Sequence, residues 1–368
     1  MGRIPKAIPP GGKRPAGEEY SGNQLPATGG KGELAQMIRA AVIGAGGFVR
    51  ATHLPNMRAN PRYQVRAIAD INEQVAAQVA AEYQAAYHST DYRDVLADPE
   101  VDLAVITTPH HQHAPISVAA AKAGKHILVE KPMAMTAAEV REVLEAVRAA
   151  GTVFTVGFNR RYAPLAVRAK RLADSRQCPM MIMYRMVDQI WQHSWALAPG
   201  IGGGRIISEA CHIFDFIAWL VGSPPVRVHA EGGLLSHPDD GRVVQDNAVI
   251  TVKFADGSLA AVCHGDLGHA AYPKEHVAMF LGEKTVVIDN FQGLEVYGFP
   301  AEEGERLPGV DKGLVAEVEE LGKAIMGEPS TLLREDEAAL AMLATIKALA
   351  SVQQGRTMDI SKEEFPWL

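Results

Sequence analysis

The chain has 368 residues, which is long enough for two domains. Its hydrophobic fraction of 47% and charged fraction of 21% are typical of a soluble globular protein. A net charge of −7 gives no electrostatic reason to expect binding to nucleic acid or to an anionic membrane. Three isolated cysteines, with no Cys-x-x-Cys pair, argue against a disulfide framework and a zinc site, and they predict a reducing cytoplasm.

The N-terminal segment differs in composition from the rest of the chain. Residues 1–37 hold eight Gly and five Pro and show no periodic apolar face, so they cannot build a core. The segment also lacks the apolar stretch of a secretory signal. We expect a disordered tail, with an arm that embraces another subunit as the alternative.

From Arg39 onward, predicted strands and helices alternate. The predicted strands are 40–43, 63–70, 102–107, 126–130 and 154–158, and the predicted helices are 71–83, 112–123 and one that begins after the N-cap Thr136. Alternation of this kind requires right-handed crossovers. Residues 38–157 are therefore predicted to form a doubly wound parallel sheet, the Rossmann fold.

A degenerate dinucleotide-binding fingerprint follows the first strand. Gly44 permits a tight turn, and Gly46 lets the backbone approach a pyrophosphate at a helix N-terminus that includes Gly47 and Phe48. Asp70 ends the next strand, where a carboxylate accepts hydrogen bonds from a ribose 2′-hydroxyl and repels a 2′-phosphate. The pattern predicts NAD rather than NADP. The alternative is that Asp70 only caps the following helix.

Two more strand ends carry candidate cofactor contacts, because ligands bind at the carboxyl edge of such sheets. Thr107, Thr108 and Pro109 follow the third strand, and three histidines occupy four positions within 110–113. These histidines have no nearby carboxylate or Cys to complete a metal site. A capping or cofactor-contact role is predicted, with His113 in that role, and no metal is expected.

The motif Glu130-Lys131-Pro132 ends the fourth strand. Pro cannot donate to a strand ladder, so the strand must stop there. Lys131 is then projected into the crevice, where it suits proton transfer. The alternative is a surface lysine at a strand end.

The second half of the chain, 158–368, follows a different pattern. A basic helix ends near Arg176, seven strand-like runs follow between 180 and 297, and two helices at 312–326 and 335–353 close the chain. Runs of strands joined by tight turns, such as 255–258, predict an α+β domain with an open, mainly antiparallel sheet. A ligand cleft is expected between this domain and the first.

Within that half, the stretch 203–215 places polar residues on an apolar helix. At about 100° per residue, Ser208, His212, Asp215 and Trp219 fall within roughly 60° of one another, apart from an apolar face. A helix whose only role is to pack against the core needs no His and Asp beside its apolar face. A satisfied, half-buried His is the alternative. Together with the Glu130-Lys131-Pro132 motif, the pattern predicts an active site.

These motifs resemble those of the Gfo/Idh/MocA family (glucose–fructose oxidoreductase, inositol dehydrogenase and rhizopine catabolism) over roughly residues 38–355. The resemblance rests on Gly44-Ala45-Gly46, Thr108-Pro109 with His113, Glu130-Lys131-Pro132, Gly157-Phe158-Asn159-Arg160-Arg161, and Gly203-Gly204 to His212 and Asp215. The details are similar to a subgroup found as the C-terminal half of bi-domain oxidoreductases.

The resemblance implies NAD(P)-dependent oxidation or reduction of sugars, cyclitols or their derivatives, with Lys131 and His212 as catalytic residues. The family places a carboxylate four residues before that His, where this chain has Ser208. Glu209 is expected to substitute, and Glu209 or Asp215 is expected to orient the imidazole. The resemblance also implies a cis Lys131–Pro132 bond.

Further contacts are predicted around these residues. Additional cofactor contacts are expected at Glu130, Lys131, Asn159 and Arg161, and substrate contacts at Lys131, Arg161, Trp191, Trp195, Ser208 and His212, with Asp246-Asn247 as weaker candidates. Trp faces suit sugar rings, although Trp is more often a core residue.

Two other functions are compatible with these motifs. The alternatives to an oxidoreductase are a NAD-dependent glycosidase of the same fold and a non-catalytic dinucleotide-binding sensor.

In the run 248–253, apolar groups alternate onto both faces of the predicted sheet. An uncovered apolar face favours association. The chain is therefore predicted to form a homodimer or homotetramer through the C-terminal sheet.

Overall fold

The first half of the chain folds around a six-stranded parallel sheet. Its strands are β1 (Ile38–Ile43), β2 (Tyr63–Ala69), β3 (Tyr87–Ser89), β4 (Leu103–Ile106), β5 (His126–Val129) and β6 (Phe154–Val156), in the order β3-β2-β1-β4-β5-β6. The central strands are buried on both faces, and every residue of β4 is buried, as expected for a sheet covered by helices on each side. The predicted doubly wound sheet is confirmed.

Six helices connect these strands: α1 (Gly47–Ala51), α2 (His53–Ala59), α3 (Glu73–Tyr83), α4 (Tyr92–Ala97), α5 (His113–Lys122) and α6 (Ala137–Ala150). Thr136 caps α6, because its side chain accepts from the amide of Glu139 and the Glu139 side chain accepts in return from the amide of Thr136. The pattern did not predict β3 and α4. β3 is a three-residue edge strand with no buried residue, so it has no apolar run to reveal it.

This computed structural model describes residues 37–191, 194–237, 244, 246–361 and 364–366. The tail or arm predicted for residues 1–37 lies outside this part of the chain, apart from Met37. None of the helices in the described part combines the length and apolar character needed to cross a bilayer.

The second half contains a nine-stranded sheet. Its strands are β7 (Met181–Val187), β8 (Pro225–Gly233), β9 (Asn247–Phe254), β10 (Leu259–Gly265), β11 (Glu275–Phe280), β12 (Thr285–Asp289), β13 (Gly293–Tyr297), β14 (Glu305–Arg306) and β15 (Met358–Asp359), in the order β14-β13-β12-β11-β7-β10-β9-β8-β15. β7 and β10 pair in parallel, and the other neighbouring strands pair antiparallel. This mainly antiparallel sheet was predicted, as was the turn between β9 and β10.

Three helices accompany this sheet: α7 (Pro164–Asp174), α8 (Cys211–Val221) and α10 (Glu335–Gln354), whereas α9 (Leu314–Ile325) packs against α2 and the core of the first sheet. A π-helical turn, Ile206–Ala210, leads directly into α8. α10 packs against α8, α6 and β8, so it joins the layers of the two sheets. Residues from 37 onward form one compact unit, and the domain boundary after residue 157 stays a prediction.

Burial alternates along β9 and separates the two faces of the second sheet. Ala248, Ile250 and Val252 are buried, whereas Val249 and Lys253 are exposed. The buried face packs into the core that α8 and α10 complete. The exposed face carries large apolar side chains, including Met181, Met183, Val249, Leu259, Phe280 and Tyr297.

Candidate active site

The turn after β1 is tightly packed on one side and open on the other. Gly44 has a φ of +91°, and a Cβ there would lie 2.8 Å from the carbonyl oxygen of Thr107, so only glycine fits. The Thr107 hydroxyl donates back to the Gly44 carbonyl. A Cβ on Gly46 or Gly47 would meet nothing within 4 Å. This open side at the start of α1 fits the pyrophosphate of NAD. Phe48 is exposed beside it.

Asp70 is tied to the same turn. Its carboxylate accepts from the amide of Ala45 at 2.8 Å and from the amide of Asn72 at 2.9 Å. The side chain of Asn72, rather than Asp70, caps α3. The alternative in which Asp70 only caps that helix is therefore wrong. Asp70 is partly exposed beside the cofactor turn, where a ribose-binding carboxylate is expected.

His113 joins the two other strand-end turns. Its Nε2 lies 2.8 Å from the carbonyl oxygen of Thr108, and its Nδ1 lies 2.7 Å from that of Pro132. His113 is buried and each ring nitrogen faces a carbonyl oxygen, so it positions the two turns, and its predicted cofactor contact stays a prediction. The Thr108 hydroxyl is buried without a partner in the described chain and remains available to a cofactor, beside the exposed Pro109. The Lys131–Pro132 bond is cis, as predicted.

The Glu130 carboxylate also makes hydrogen bonds within the protein. Its carboxylate accepts from Nε2 of His53 at 2.6 Å and from the amide of Lys131 at 3.2 Å. A Cβ at Gly157 would lie 2.6 Å from Glu130 Oε1, so the glycine leaves room for the carboxylate. Burial would raise the pKa of Glu130, but His53 holds it below its usual value. Glu130 thus supports the Lys131 turn, and its predicted cofactor contact stays a prediction.

Lys131 and Glu209 meet where the two halves of the chain face each other. Lys131 extends from the end of β5, and Glu209 lies in the π-helical turn. The Lys131 Nζ donates to Glu209 Oε1 at 2.6 Å and to the carbonyl oxygen of Ser208 at 3.0 Å. The structure therefore brings together two residues that were predicted to share a site.

A second lysine completes this contact. Lys274, just before β11, donates to Glu209 Oε2 at 2.9 Å and lies 3.0 Å from Asp188 Oδ2. Burial alone would raise the pKa of Glu209, but Lys131 and Lys274 hold it well below its usual value, so Glu209 is ionised. The sequence analysis missed Lys274. The adjacent charges of Lys274-Glu275 at the start of an apolar strand were the available signal.

His212 is buried one turn further along, at the start of α8. Its ring meets Phe158 edge to face at 5.7 Å between centroids, and its Nδ1 has no hydrogen-bond partner in the described chain. Burial, followed by the charges of Arg160 and Lys131, holds the pKa of His212 well below its usual value. The imidazole is therefore neutral at physiological pH and can accept a proton.

Asp215 does not orient His212, contrary to expectation. It accepts from Arg161 Nη2 at 2.5 Å and from Nε at 3.2 Å, and Arg161 also donates to Glu337 at 3.2 Å. These residues line a cavity of about 1210 Å³ together with Trp219, and its lining includes neither Lys131 nor His212. The Arg161 guanidinium thus forms a buried ion pair with Asp215, and its predicted cofactor and substrate contacts stay predictions.

Two other predicted contacts are used within the protein. The Asn159 side-chain amide donates to the carbonyl of Lys312 at 2.7 Å. The Ser208 hydroxyl donates to the carbonyl of Arg205 at 3.3 Å, so only the Ser208 carbonyl reaches Lys131. Both side chains have partners within the protein, and the predicted cofactor contact of Asn159 and substrate contact of Ser208 stay predictions.

The weaker candidates Asp246 and Asn247 are also engaged. Asp246 accepts from the backbone amides of Leu235 and Ser236, and the Asn247 side chain donates to Asp266 at 3.0 Å. These bonds hold the ends of the strands next to the site. They leave substrate binding by this pair without support.

The two predicted tryptophans lie in different surroundings. Trp191 is half-buried, with the guanidinium carbon of Arg205 4.1 Å from its ring centroid. Trp195 is exposed and its ring meets His110 at 4.7 Å, while His110 Nδ1 lies 2.8 Å from the carbonyl oxygen of Gly202. Trp195 stays a predicted substrate contact. Within the described residues, no group of three or more His, Cys, Asp or Glu is arranged to hold a metal ion.

Comparison with known proteins agrees with this geometry. A family described as the oxidoreductase family with an NAD-binding Rossmann fold, GFO/IDH/MocA, matches residues 38–158, and the family's C-terminal domain matches residues 165–288. An uncharacterized oxidoreductase of Bacillus subtilis, YrbE, is 31% identical over 258 residues, which cover 70% of this chain and 75% of that protein.

A characterised relative and a solved structure extend the comparison. Levoglucosan dehydrogenase of Pseudarthrobacter phenanthrenivorans is 30% identical over 62% of this chain and 67% of its own length. The crystal structure of GenD2 from gentamicin A biosynthesis, in complex with NAD, is 25% identical with a TM-score of 0.75, over 91% of this chain and all of GenD2. With the cofactor turn and the Lys131 site above, these matches place the chain in the Gfo/Idh/MocA family of NAD-binding oxidoreductases.

Proposed function

We propose that this enzyme oxidises or reduces a secondary alcohol of a sugar, a cyclitol or a related derivative. The observation that carries the proposal is the convergence of Lys131 from the nucleotide-binding half with Glu209 and His212 from the other half. A neutral imidazole and an ammonium beside an open cofactor turn are the groups that transfer of a hydroxyl proton requires. The substrate of the levoglucosan relative supports the carbohydrate class.

Bound NAD supplies the hydride acceptor or donor. In the oxidative direction the imidazole of His212, which is neutral, accepts the hydroxyl proton. An ammonium has three N–H donors, and Lys131 commits two of them to Glu209 and to the Ser208 carbonyl. The third donates to the substrate oxygen and stabilises the negative charge that develops there.

Glu209 acts by holding the two lysines. Its ionised carboxylate fixes the Lys131 Nζ with one oxygen and the Lys274 Nζ with the other. It therefore substitutes for the carboxylate that the resemblance expected at Ser208, one residue earlier. In this proposal Glu209 positions Lys131, and it neither transfers the proton nor orients the imidazole.

The proposal is tested with a panel of sugars, uronic acids, cyclitols and nucleotide sugars. Incubation with NAD and a substrate should produce NADH in proportion to the oxidised product. Release of free sugar from a glycoside without net NADH would indicate the alternative glycosidase. NAD binding with no turnover of any member of the panel would overturn the proposal in favour of a sensor.

We also propose that the chain assembles as a homodimer or homotetramer in a reducing cytoplasm. The exposed apolar face of the second sheet, which includes Met181, Met183, Val249 and Leu259, supports self-association. The three cysteines are free, as expected in such a compartment. Light scattering that gives the mass of one chain at micromolar concentration would contradict the assembly.

A further inference from the structure

One buried cation beside the site has no hydrogen-bond partner. The Arg205 side chain is fully buried, and within the described chain its Nε, Nη1 and Nη2 all lack a partner. Buried donors are normally paired, and those of charged groups are the most costly to leave unpaired. Burial lowers the pKa of Arg205 below its usual value. The unpaired guanidinium therefore requires a physical explanation.

The carboxylates that lie around Arg205 in the described chain are engaged with other groups. Asp188 Oδ2 lies 3.8 Å from Arg205 Nη2, beyond hydrogen-bond distance, and it contacts Lys274 at 3.0 Å. Glu209 bridges Lys274 and Lys131. Asp266 and Asp246 also act on Arg205 electrostatically, but Asp266 accepts from the Trp191 amide and from Asn247, and Asp246 accepts from backbone amides. None of these four carboxylates accepts a hydrogen bond from the Arg205 side chain.

The stacking of Trp191 leaves the donors of Arg205 unused. The indole covers one face of the guanidinium, at 4.1 Å from its centroid, whereas guanidinium N–H bonds lie in the plane of the group. Trp191 is half-buried and so reaches the surface of the site.

We propose that Arg205 receives a carboxylate of the substrate, so that the enzyme acts on an acidic sugar or cyclitol. A guanidinium fork matches the two oxygens of a carboxylate, and a carboxylate here would pair the donors that the described chain leaves without a partner. This inference rests on the proposed function, because it names the class of substrate that the site of Lys131 and His212 would oxidise.

The test compares matched substrates. D-glucose is paired with D-glucuronate and D-galactose with D-galacturonate, and D-glucose 6-phosphate is added. Each uronate is expected to have a kcat/KM about 10- to 100-fold above its neutral partner, the range for a hydrogen bond to a charged group. Equal values for neutral and acidic partners would overturn the inference while the proposed function stands. A preference for D-glucose 6-phosphate would mean that Arg205 binds a phosphate rather than a carboxylate. Absence of turnover throughout the panel would overturn the proposed function itself.

Variants separate a binding role of Arg205 from a structural one. Arg205→Gln and Arg205→Lys should both lose the preference for uronates, because neither side chain offers the charged fork. Arg58→Gln removes an exposed arginine that also stacks on an aromatic ring, that of Tyr83, and should change nothing. Because the Arg205 side chain is buried without a hydrogen-bond partner in the described chain, Arg205→Gln should keep or raise the thermal midpoint. A lowered midpoint with the preference retained would show a structural role.

Binding provides a readout that does not require turnover. Calorimetric titration of D-glucuronate into the NADH-loaded protein should give an affinity about 10- to 100-fold lower for Arg205→Gln than for the unmodified protein. D-glucose should bind both proteins equally. Unchanged glucuronate affinity in Arg205→Gln would overturn the assignment.

Discussion

Two buried arginines lie near the active site, and their surroundings differ sharply. Arg160 donates to both oxygens of the buried Glu275, at 2.8 and 3.0 Å, and Glu275 also accepts from Tyr184 and Lys312. Arg205 makes no side-chain hydrogen bond in the described chain. The first region is a completed polar network. In the second region, the guanidinium donors of Arg205 have no partner in the described chain.

This difference distinguishes buried charges that stabilise the fold from buried charges that can bind a ligand. In a closed network every buried charge has its partner, so the network fixes the fold and offers nothing to a ligand. Buried polar groups without a partner lower the stability of the fold, and they are retained where a bound ligand supplies the partner. The same distinction separates Asp215, which is closed by Arg161, from His212, whose Nδ1 is unpaired.

The largest expected effect comes from breaking the closed network. Glu275→Gln removes the counter-charge of Arg160 and leaves a buried cation, which should lower the free energy of unfolding by about 3–5 kcal/mol. Urea denaturation measures it. Glu295→Gln, which changes an exposed carboxylate on β13, is the matched control and should change stability by less than about 0.5 kcal/mol. A similar small change in Glu275→Gln would remove the contrast between the two arginines.

A smaller effect is expected at the open carboxylate of the cofactor turn. We predict that NAD binds at least tenfold more tightly than NADP, a difference of about 1.4 kcal/mol, and that Asp70→Ser narrows this gap by removing repulsion of the 2′-phosphate. Calorimetry with both cofactors measures it. Asp91→Ser, at the N-cap of α4 where serine also caps well, should leave the preference intact. Tighter NADP binding by the unmodified protein would contradict the role of Asp70.

The smallest effect is a loss of stability in mild acid. Burial lowers the pKa of His110 to about 3 and of His264 to about 4. Below the ordinary value of 6.5 the unfolded chain takes up protons that the folded chain refuses, so stability present above pH 6.5 is lost as pH falls toward 4. Between pH 7 and 5.5 each histidine should cost about 1 kcal/mol.

Urea midpoints at several pH values measure this loss. His264→Gln should reduce the slope of stability against pH, because one buried imidazole no longer titrates in the unfolded chain. The exposed His269 serves as the control, and His269→Asn should keep the slope. An equal slope in the unmodified protein and in His264→Gln would show that buried neutral imidazoles do not govern stability in this range.

The fold was predictable because its elements carry strong apolar patterns. The short buried runs that end at Ile43, Ile106 and Val129 place the cofactor turns at one edge of the sheet. Lys131 was predicted from the motif that ends the strand at Val129, and His212 from the polar residues of the stretch 203–215 together with the family resemblance. Within the described chain, the main elements missed were the edge strand β3 and the short α4, which have weak patterns.

Side-chain pairing was less predictable, because it depends on contacts between distant segments. Lys274 reaches Glu209 across 65 residues, and Arg161 reaches Asp215 across 54. A helical wheel drawn at 100° per residue also fails through the π-helical turn 206–210, where each turn contains an extra residue. Charged residues next to buried runs can be identified from sequence, but their partners cannot.

The most direct test of the account is a double-mutant cycle on Lys131 and His212, measured as kcat/KM with a substrate identified from the panel. His212→Ala and Lys131→Ala should each lower kcat/KM by about 10²–10⁴-fold, with little change in NAD affinity for His212→Ala. Because both groups act on one proton, the double variant should lose less than the product of the two factors. Full activity in either single variant, or losses that multiply, would contradict a shared proton-transfer site.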